Sequence, residues 1–330
     1  MNSFGRIFRI SIFGESHGEC VGITIDGCPA GLSLTAEDLL PDLERRKGGK
    51  QKGTTPRQEE DYPIFKSGMF NGKTTGFPVT ILFENKNTRS EDYNKQRSIP
   101  RPGHADWVAH QKFGGNEDYR GGGHFSARLT TGIVAAGAIA KKLMNELTIH
   151  AEVTEIAGEK DLEKGLQKAI DAKDSVGGII ECRVNGLPVG LGEPSFDSIE
   201  SVLSHILFAI PAVKGVEFGA GFAAAKMFGS EHNDAIENME GKTRTNHAGG
   251  IVGGISNGNE LVFRLAVKPT SSTPKEQNSL NWDTGKTEDF SIKGRHDLCV
   301  ALRAPVIVEA VTALVLADLM LLEQKIKRVL

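Results

Sequence analysis

The sequence predicts an α+β protein of layered architecture, folded as a single domain over residues 1–330. Three observations predict it. Strand-like and helix-like segments recur twice along the chain, without the steady alternation that a doubly wound parallel sheet requires. No Ser/Pro-rich linker separates two halves. The apolar fraction of 39% over 330 residues suffices for a substantial core. The recurrence also leaves room for an internal duplication.

Taken in order, Phe8, Ile10 and Ile12 alternate with more polar positions, and Val21, Ile23 and Ile25 do so again, giving two strands joined by a glycine-bounded loop. Thr35 can cap a helix through Leu39, Leu40 and Leu43, although Pro41 limits it or fixes its start later. Arg45, Arg46, Lys47, Lys50, Lys52 and Arg57 then alternate with Gly48, Gly49 and Gly53, the composition of a mobile loop able to close over an anion. A strand at 79–83 precedes a long polar loop at 84–104. Ile133, Ala136, Ile139, Ala140, Leu143 and Leu147 fall at helical spacing, and Gly132 and Gly137 permit close packing, so residues 129–147 read as a buried helix. Further helices fit 160–172, 197–209 and 304–325, and strands fit 178–184, 216–222 and 261–267.

Composition narrows the class. A net charge of -3, from 39 basic and 42 acidic residues, provides no global field for nucleic acid or an anionic membrane. Four cysteines with no C-x-x-C pair fit a reducing cytoplasm, and Arg6 and Arg9 within the first 13 residues argue against a signal peptide. Residues 304–322 are strongly apolar, but Glu309 and Asp318 interrupt them, favouring a core helix over a membrane span. Glycine is abundant, 39 of 330 residues, which implies many turns or close backbone approaches to a ligand.

Several motifs carry chemistry. In Gly14-Glu15-Ser16-His17-Gly18 a hydroxyl and a proton donor sit between glycines at a strand end; a surface turn with an incidental histidine is the competing reading. His104 follows an Arg101-Pro102-Gly103 turn and has the titration range for proton transfer. Arg120-Gly121-Gly122-Gly123-His124-Phe125-Ser126-Ala127-Arg128 runs into a helix start, a geometry suited to phosphate or carboxylate, without matching a P-loop or a Rossmann fingerprint. Lys268-Pro269-Thr270-Ser271-Ser272 closes a strand with one cation and three hydroxyls, and Arg295-His296-Asp297 joins a cation to a general base, or forms a structural ion pair. No zinc spacing occurs. A Ser/His/Asp hydrolase is disfavoured, since no Gly-x-Ser-x-Gly elbow exists and arginines exceed what acyl transfer needs. An RNA-binding role for 45–57 lacks stacking aromatics.

At these residues the chain is similar to the chorismate synthase family over essentially its whole length. The resemblance is carried by residues 14–18 with Asp26-Gly27-Cys28-Pro29, by 101–106, by the glycine-Ser126-Ala127-Arg128 helix start, and by Asn246-His247-Ala248-Gly249-Gly250. It continues through 268–272 and through Arg295-His296-Asp297 with Arg303-Ala304-Pro305. It implies a β-α-β sandwich and an anti-1,4-elimination of phosphate from 5-enolpyruvylshikimate 3-phosphate that requires reduced FMN without net oxidation. The flavin would lend an electron as the carbon–oxygen bond breaks and recover it when the ring hydrogen leaves. Either NADPH or an external reductant would keep it reduced, and an ordinary hydride-transferring flavin oxidoreductase is the alternative enzyme.

The resemblance further implies that His17 protonates the departing phosphate, that His104 serves a proton at the flavin ring, and that Asp297 with Ser16 and Ser126 relays the proton removed through flavin N5. Substrate or phosphate contacts are then Arg46, Arg101, Arg128 and Arg295, with Lys52 and Arg57 as further candidates. FMN contacts are His124, Phe125, Ser126, Pro211, Ala212, Gly253, Lys268, Pro269, Thr270, Ser271, Ser272 and Arg295. The family also implies a homotetramer. Two departures stand out: His124 and Phe125 where many members have arginine and a small residue, and Lys52 where some have arginine, a point charge that cannot pair bidentately.

Overall fold

A computed structural model describes residues 2–49, 52–56, 59–88, 97–292 and 296–324. In the first half, β1 (Ser3–Phe4), β2 (Arg9–Gly14), β3 (Cys20–Asp26), β4 (Ile64–Ser67) and β5 (Val79–Glu84) form an antiparallel sheet in the order β1-β2-β3-β5-β4. The predicted alternation holds, because Val21, Ile23 and Ile25 on β3 and Val79, Ile81 and Phe83 on β5 are all buried. The register sets Ile23 opposite Ile81 and Thr24 opposite Thr80, whose hydroxyls pair at 3.2 Å.

In the second half, β6 (Thr148–Ile156), β7 (Gly178–Asn185), β8 (Val213–Phe218) and β9 (Leu261–Val267) form an antiparallel sheet in the order β8-β9-β7-β6. With β1 set aside, both sheets read first, second, fourth, third in chain order, and each is followed by a long helix. That shared topology supports the internal duplication.

The helices are α1 (Leu40–Arg46), α2 (Asp106–Phe113), α3 (Thr130–Leu143), α4 (Leu162–Ala172), α5 (Ile199–Leu207), the single turn α6 (Gly229–His232) and α7 (Pro305–Leu322). α3 lies on the first sheet, α7 on the second, and the two pack on each other between the sheets, giving a sandwich of sheet, helices and sheet. Glycine permits both contacts. A Cβ on Gly137 would stand 2.3 Å from that of Ala310, and one on Gly132 would stand 3.0 Å from Ile23 Cβ. Buried apolar residues of both halves form one continuous cluster.

The two acids in the apolar C-terminal helix are each held in the core by a set of donors. Glu309 accepts from Arg45 at 2.7 Å, from Lys141 at 2.8 Å and from the Ala151 N–H at 3.1 Å, tying α7 to α1, α3 and β6. Asp318 accepts the backbone N–H groups of Arg6, Ile7 and Phe8 at 2.7–2.9 Å and so anchors the entry to β2. Helix α7 is long and apolar enough to cross a membrane, but residues 306–319 are buried inside the protein, so it serves as the core helix expected.

Four expectations are corrected. Thr35 does not cap α1; its N–H and hydroxyl turn to Asp38, and Pro41 sits in the first turn of a helix that begins later. Arg45 and Arg46 belong to that helix rather than to a loop, and beyond it Gly53 packs on Leu166 while its carbonyl accepts from the Leu298 N–H at 2.9 Å; Lys50 and Arg57 lie outside the described residues. The strand expected at 216–222 runs instead over Val213–Phe218, because the chain turns at Gly219, where φ is +53° and a Cβ would fall 2.0 Å from the His247 carbonyl oxygen. The helix expected to reach 147 stops at Leu143, and β6 and α2 are elements the sequence patterns did not reveal.

Burial opposes ionisation of Glu309, but the hydrogen bond from Arg45 and the charge of Lys141 outweigh it and lower its pKa. Its stabilising contribution is therefore complete above the ordinary glutamate range near about 4.3 and is lost as pH falls through its depressed value. Glu309→Gln should lower the unfolding free energy at pH 7 by about 2–4 kcal/mol, less than a fully buried pair because Arg45 can rehydrate, and should flatten the acid-side loss. Denaturant unfolding between pH 3 and 7, compared with the wild type, checks both.

Candidate active site

The triple glycine builds the site by what it leaves out. Gly121, Gly122 and Gly123 all have positive φ. A Cβ on Gly121 would lie 2.4 Å from His17 Cδ2 and 3.0 Å from Ser16 Oγ; one on Gly122 would lie 3.4 Å from His104 Cε1 and 3.9 Å from Ser126 Cβ. The loop thus passes as bare backbone between the two histidines, with a serine beside each. His17 and Ser16 are buried. The Ser16 N–H donates to the Gly123 carbonyl at 3.1 Å, locking the two motifs together. Ser126 caps the short turn Ala127–Leu129 by accepting the Arg128 N–H at 3.3 Å, so the expected helix start is formed.

His104 is held by its own turn. Asp106 Oδ1 lies 2.5 Å from His104 Nδ1, and Arg101 clasps the same carboxylate through Nε at 2.7 Å and Nη2 at 2.8 Å. Burial would raise the Asp106 pKa, yet the hydrogen bonds from Arg101 and His104 prevail and hold the carboxyl well below its usual range. Nδ1 faces both the Asp106 carboxylate and, at 3.0 Å, Arg101 Nη2, and Nε2 lies on the side of the glycine loop. The strand-end segment 268–272 docks on this turn: Ser271 Oγ donates to the Gly103 carbonyl at 3.2 Å, Lys268 Nζ donates to the same oxygen, and Arg101 Nη1 donates to Ser272 Oγ at 3.2 Å. The Lys268 N–H in turn donates to the Ala212 carbonyl at 2.9 Å, which brings Pro211-Ala212 to the same place.

Arg46, Lys47, Arg101, Arg128 and Arg303 line one cleft of about 190 Å³ with Asp61, Glu59, Asp297, Ser126, Thr270 and His296. Among the described residues five cations face three carboxylates there. Asp61, which the sequence reading missed, is buried and joins Arg46 Nη2 at 2.8 Å to Arg128 Nη1. Arg128 also donates to Asn85 Oδ1 at 2.8 Å and to the Glu84 carbonyl at 3.1 Å, so most of its fork supports the wall. Burial, only partly offset by Asp61, pushes Arg46 down to about 10, which leaves it cationic at neutral pH. Asp297 accepts from the Thr55 N–H at 2.8 Å and from Arg303 Nη1 at 3.0 and 3.2 Å.

Among the described residues six buried side-chain polar atoms lack a partner, and three of them, Arg46 Nε, Thr270 Oγ1 and His296 Nε2, belong to residues lining this cleft. Unpaired buried polar atoms are costly, so three of them on residues of one cleft make it the candidate site for a polar ligand. Burial, reinforced by the charge of Arg101, lowers the pKa of His296 and keeps its ring neutral at pH 7. His296 and Arg303 stood in sequence motifs without a role; the cue for Asp106 was its position two residues after His104, whereas Asp61 had no sequence cue.

Other expected residues stand elsewhere. His124 bonds the Gly14 carbonyl at 2.9 Å and Asn2 Oδ1 at 3.2 Å, a structural tie. Phe125 is half exposed beside Phe113. Lys52 reaches Gln167 on α4 and does not line the cleft, and Gly253 lines a separate cavity with His247 and Val252. Pro269 packs near Gly177. Arg57 and Arg295 lie outside the described residues.

Gly121→Ala places a methyl in the His17 ring at a backbone angle that L-residues disfavour. It should cost about 1–3 kcal/mol in denaturant unfolding and shift the His17 imidazole resonances, with the remaining ring signals unchanged; an unmoved His17 would refute the contact.

A family model for chorismate synthase matches residues 8–321. The chain is 68% identical over 330 residues to a chorismate synthase of Chitinophaga pinensis, with 100% of this chain and 99% of that protein covered. It is 45% identical over 360 residues to one of Dehalococcoides mccartyi, at 100% and 99% coverage. A crystal structure of chorismate synthase superposes with a TM-score of 0.73 at 26% identity, over 97% of this chain and 93% of the other. With two histidines, a buried arginine cluster and a glycine loop at the positions where the family motifs fall, the chain belongs to the chorismate synthase family.

Proposed function

We propose that this chain acts as one domain that converts 5-enolpyruvylshikimate 3-phosphate to chorismate by anti-1,4-elimination of phosphate, with reduced FMN and no net redox change. The observation that carries this reading is a cleft lined by four arginines and by three residues with unpaired buried polar atoms, beside Ser126 and the glycine loop. A substrate with two carboxylates and a phosphate would supply the acceptor that Arg46 Nε lacks, and guanidinium pairing would fix its orientation.

His17, pressed against Gly121, is assigned to protonate the leaving phosphate, and His104 to hold a proton at the flavin ring, its Nδ1 fixed by Asp106. Asp297 receives the ring proton with Ser16 and Ser126 as relay. The donor set fits a phosphorylated flavin: Lys268, Thr270, Ser271 and Ser272 cluster against the 101–104 turn, with Pro211-Ala212 adjoining and Thr270 Oγ1 unpartnered. When bound, reduced FMN would supply transient electron density to the breaking carbon–oxygen bond and recover it. Lys52, His124 and Gly253 remain proposed contacts from the sequence, although Lys52 bonds Gln167, His124 bonds the Gly14 carbonyl and Gly253 lines a separate cavity. Arg57 and Arg295 remain proposed anion contacts from the sequence. NADPH or an external reductant would serve to reduce the flavin.

We further propose a cytoplasmic homotetramer with no nucleic-acid or membrane partner. Phe222, Phe228, Ile236, Met239 and Val252 are each 60% exposed or more, and the last three line a cavity of about 970 Å³. Apolar surface of this extent is characteristic of a subunit interface. Met239→Glu should lower the mass measured by sedimentation velocity while leaving the far-ultraviolet circular dichroism unchanged.

An anaerobic assay with reduced FMN and the phosphorylated enolpyruvyl substrate tests the reaction. Chorismate and phosphate should appear together with no stoichiometric flavin oxidation; flavin oxidised mole for mole would mark a hydride-transferring oxidoreductase instead. His17→Ala and His104→Ala should each lower kcat by roughly 10²–10⁴-fold while changing FMN affinity little. Equal loss of both would make these histidines cofactor ligands.

A further inference from the structure

We infer that Arg303 is a positioning residue for Asp297, an inference that rests on the assignment of Asp297 to the proton relay. Arg303 ends the short turn Val300–Arg303 that leads into α7, six residues after Asp297. Its guanidinium is pinned in two directions. Nε donates to the Arg46 carbonyl at 3.0 Å, at the end of α1, while Nη1 spans both Asp297 oxygens at 3.2 and 3.0 Å. The Thr55 N–H approaches the same carboxylate at 2.8 Å from a third segment. Two separate stretches of chain therefore hold the carboxylate, and a third, the end of α1, holds the arginine that pairs with it.

The pair is not a core strut. Arg303 and Asp297 side chains keep 16% and 13% exposure, and both line the arginine cleft with Ser126. The carboxylate is thus held at the wall where a ring proton would be received, with its direction set by the plane of the Arg303 fork. A guanidinium can bond the Arg46 carbonyl and the carboxylate at once, since its donors diverge in a rigid plane; an ammonium on a flexible stem keeps the charge and loses that geometry. Arg303 acts on the reaction through Asp297 and is not itself required to touch substrate.

The experiment compares Arg303→Lys, Arg303→Met, Asp297→Asn and the Arg303→Lys/Asp297→Asn double variant in the anaerobic assay, with folding verified by thermal unfolding. Arg303→Lys should lower kcat on the order of 10²-fold, with KM for the substrate and reduced-FMN affinity changed less than about threefold. The double variant should be no slower than Asp297→Asn alone, because the arginine has nothing left to position. Arg303→Met, if it folds, should match Arg303→Lys, and added guanidinium should restore part of its kcat; if it does not fold, the lysine variant carries the test. Multiplying losses in the double variant, or a raised KM at unchanged kcat, would overturn the inference by making Arg303 an independent or direct substrate contact. Full turnover by Asp297→Asn would instead overturn the relay assignment, and with it any need for positioning.

Discussion

Burying guanidinium groups is the constraint on which this structure rests. A cation removed from water must find carboxylates and carbonyls in good geometry, or the desolvation cost prevails. Here Asp61 serves Arg46 and Arg128, Asp106 serves Arg101, and Asp297 serves Arg303. Each carboxylate also fixes a loop against the body of the protein, so the charge pairs that make an anion cleft tolerable are the same contacts that determine its shape. Removing one acid would loosen a wall and leave a cation unpaired together.

The same logic operates away from the cleft. Glu309 and Asp318 enter an otherwise apolar helix, and each is surrounded by donors from segments distant in sequence. Paired in this way they specify how α7 seats against α1, α3, β6 and the first strands, where an all-aliphatic helix would permit several rotations. Specification through polar pairs and tight packing at Gly137 and Gly132 act together, since a helix that must approach Ala310 or Ile23 closely has few alternative registers.

Much of this was legible in the sequence where the pattern was local. Alternation in Val21, Ile23 and Ile25, helical spacing from Ile133 to Leu143, and the charges inside 304–322 all found their expected elements. Edge strand β6 was hidden because Thr148, His150 and Glu152 face outward and Glu155 interrupts the alternation at a register shift. Asp297 and the glycine loop in the cleft, and His17 and His104 packed against that loop beside it, were visible as motifs. Asp61 was not, since a lone acid after two glutamates looks like solvated surface, and only tertiary contact shows it between two arginines. His124 and Lys52 make contacts that the sequence did not suggest, their side chains bonding the Gly14 carbonyl and the Gln167 side chain.

The doubled topology has a consequence for how the cleft came to be shared. Arg128 stands just before α3 and Arg303 just before α7, the matching place in each repeat, yet their partners differ: one is buried against Asp61 and Asn85, the other sits at the wall with Asp297. The same place before each long helix therefore holds a buried anchor in one half and the partner of a cleft carboxylate in the other. Because the halves meet in one apolar core, neither copy can drift in orientation without the other, whereas the side chains around each are free to change separately. A near-symmetric frame thereby carries two arginines with different surroundings, so the two ends of one cleft differ in charge and rigidity although the backbone that holds them repeats.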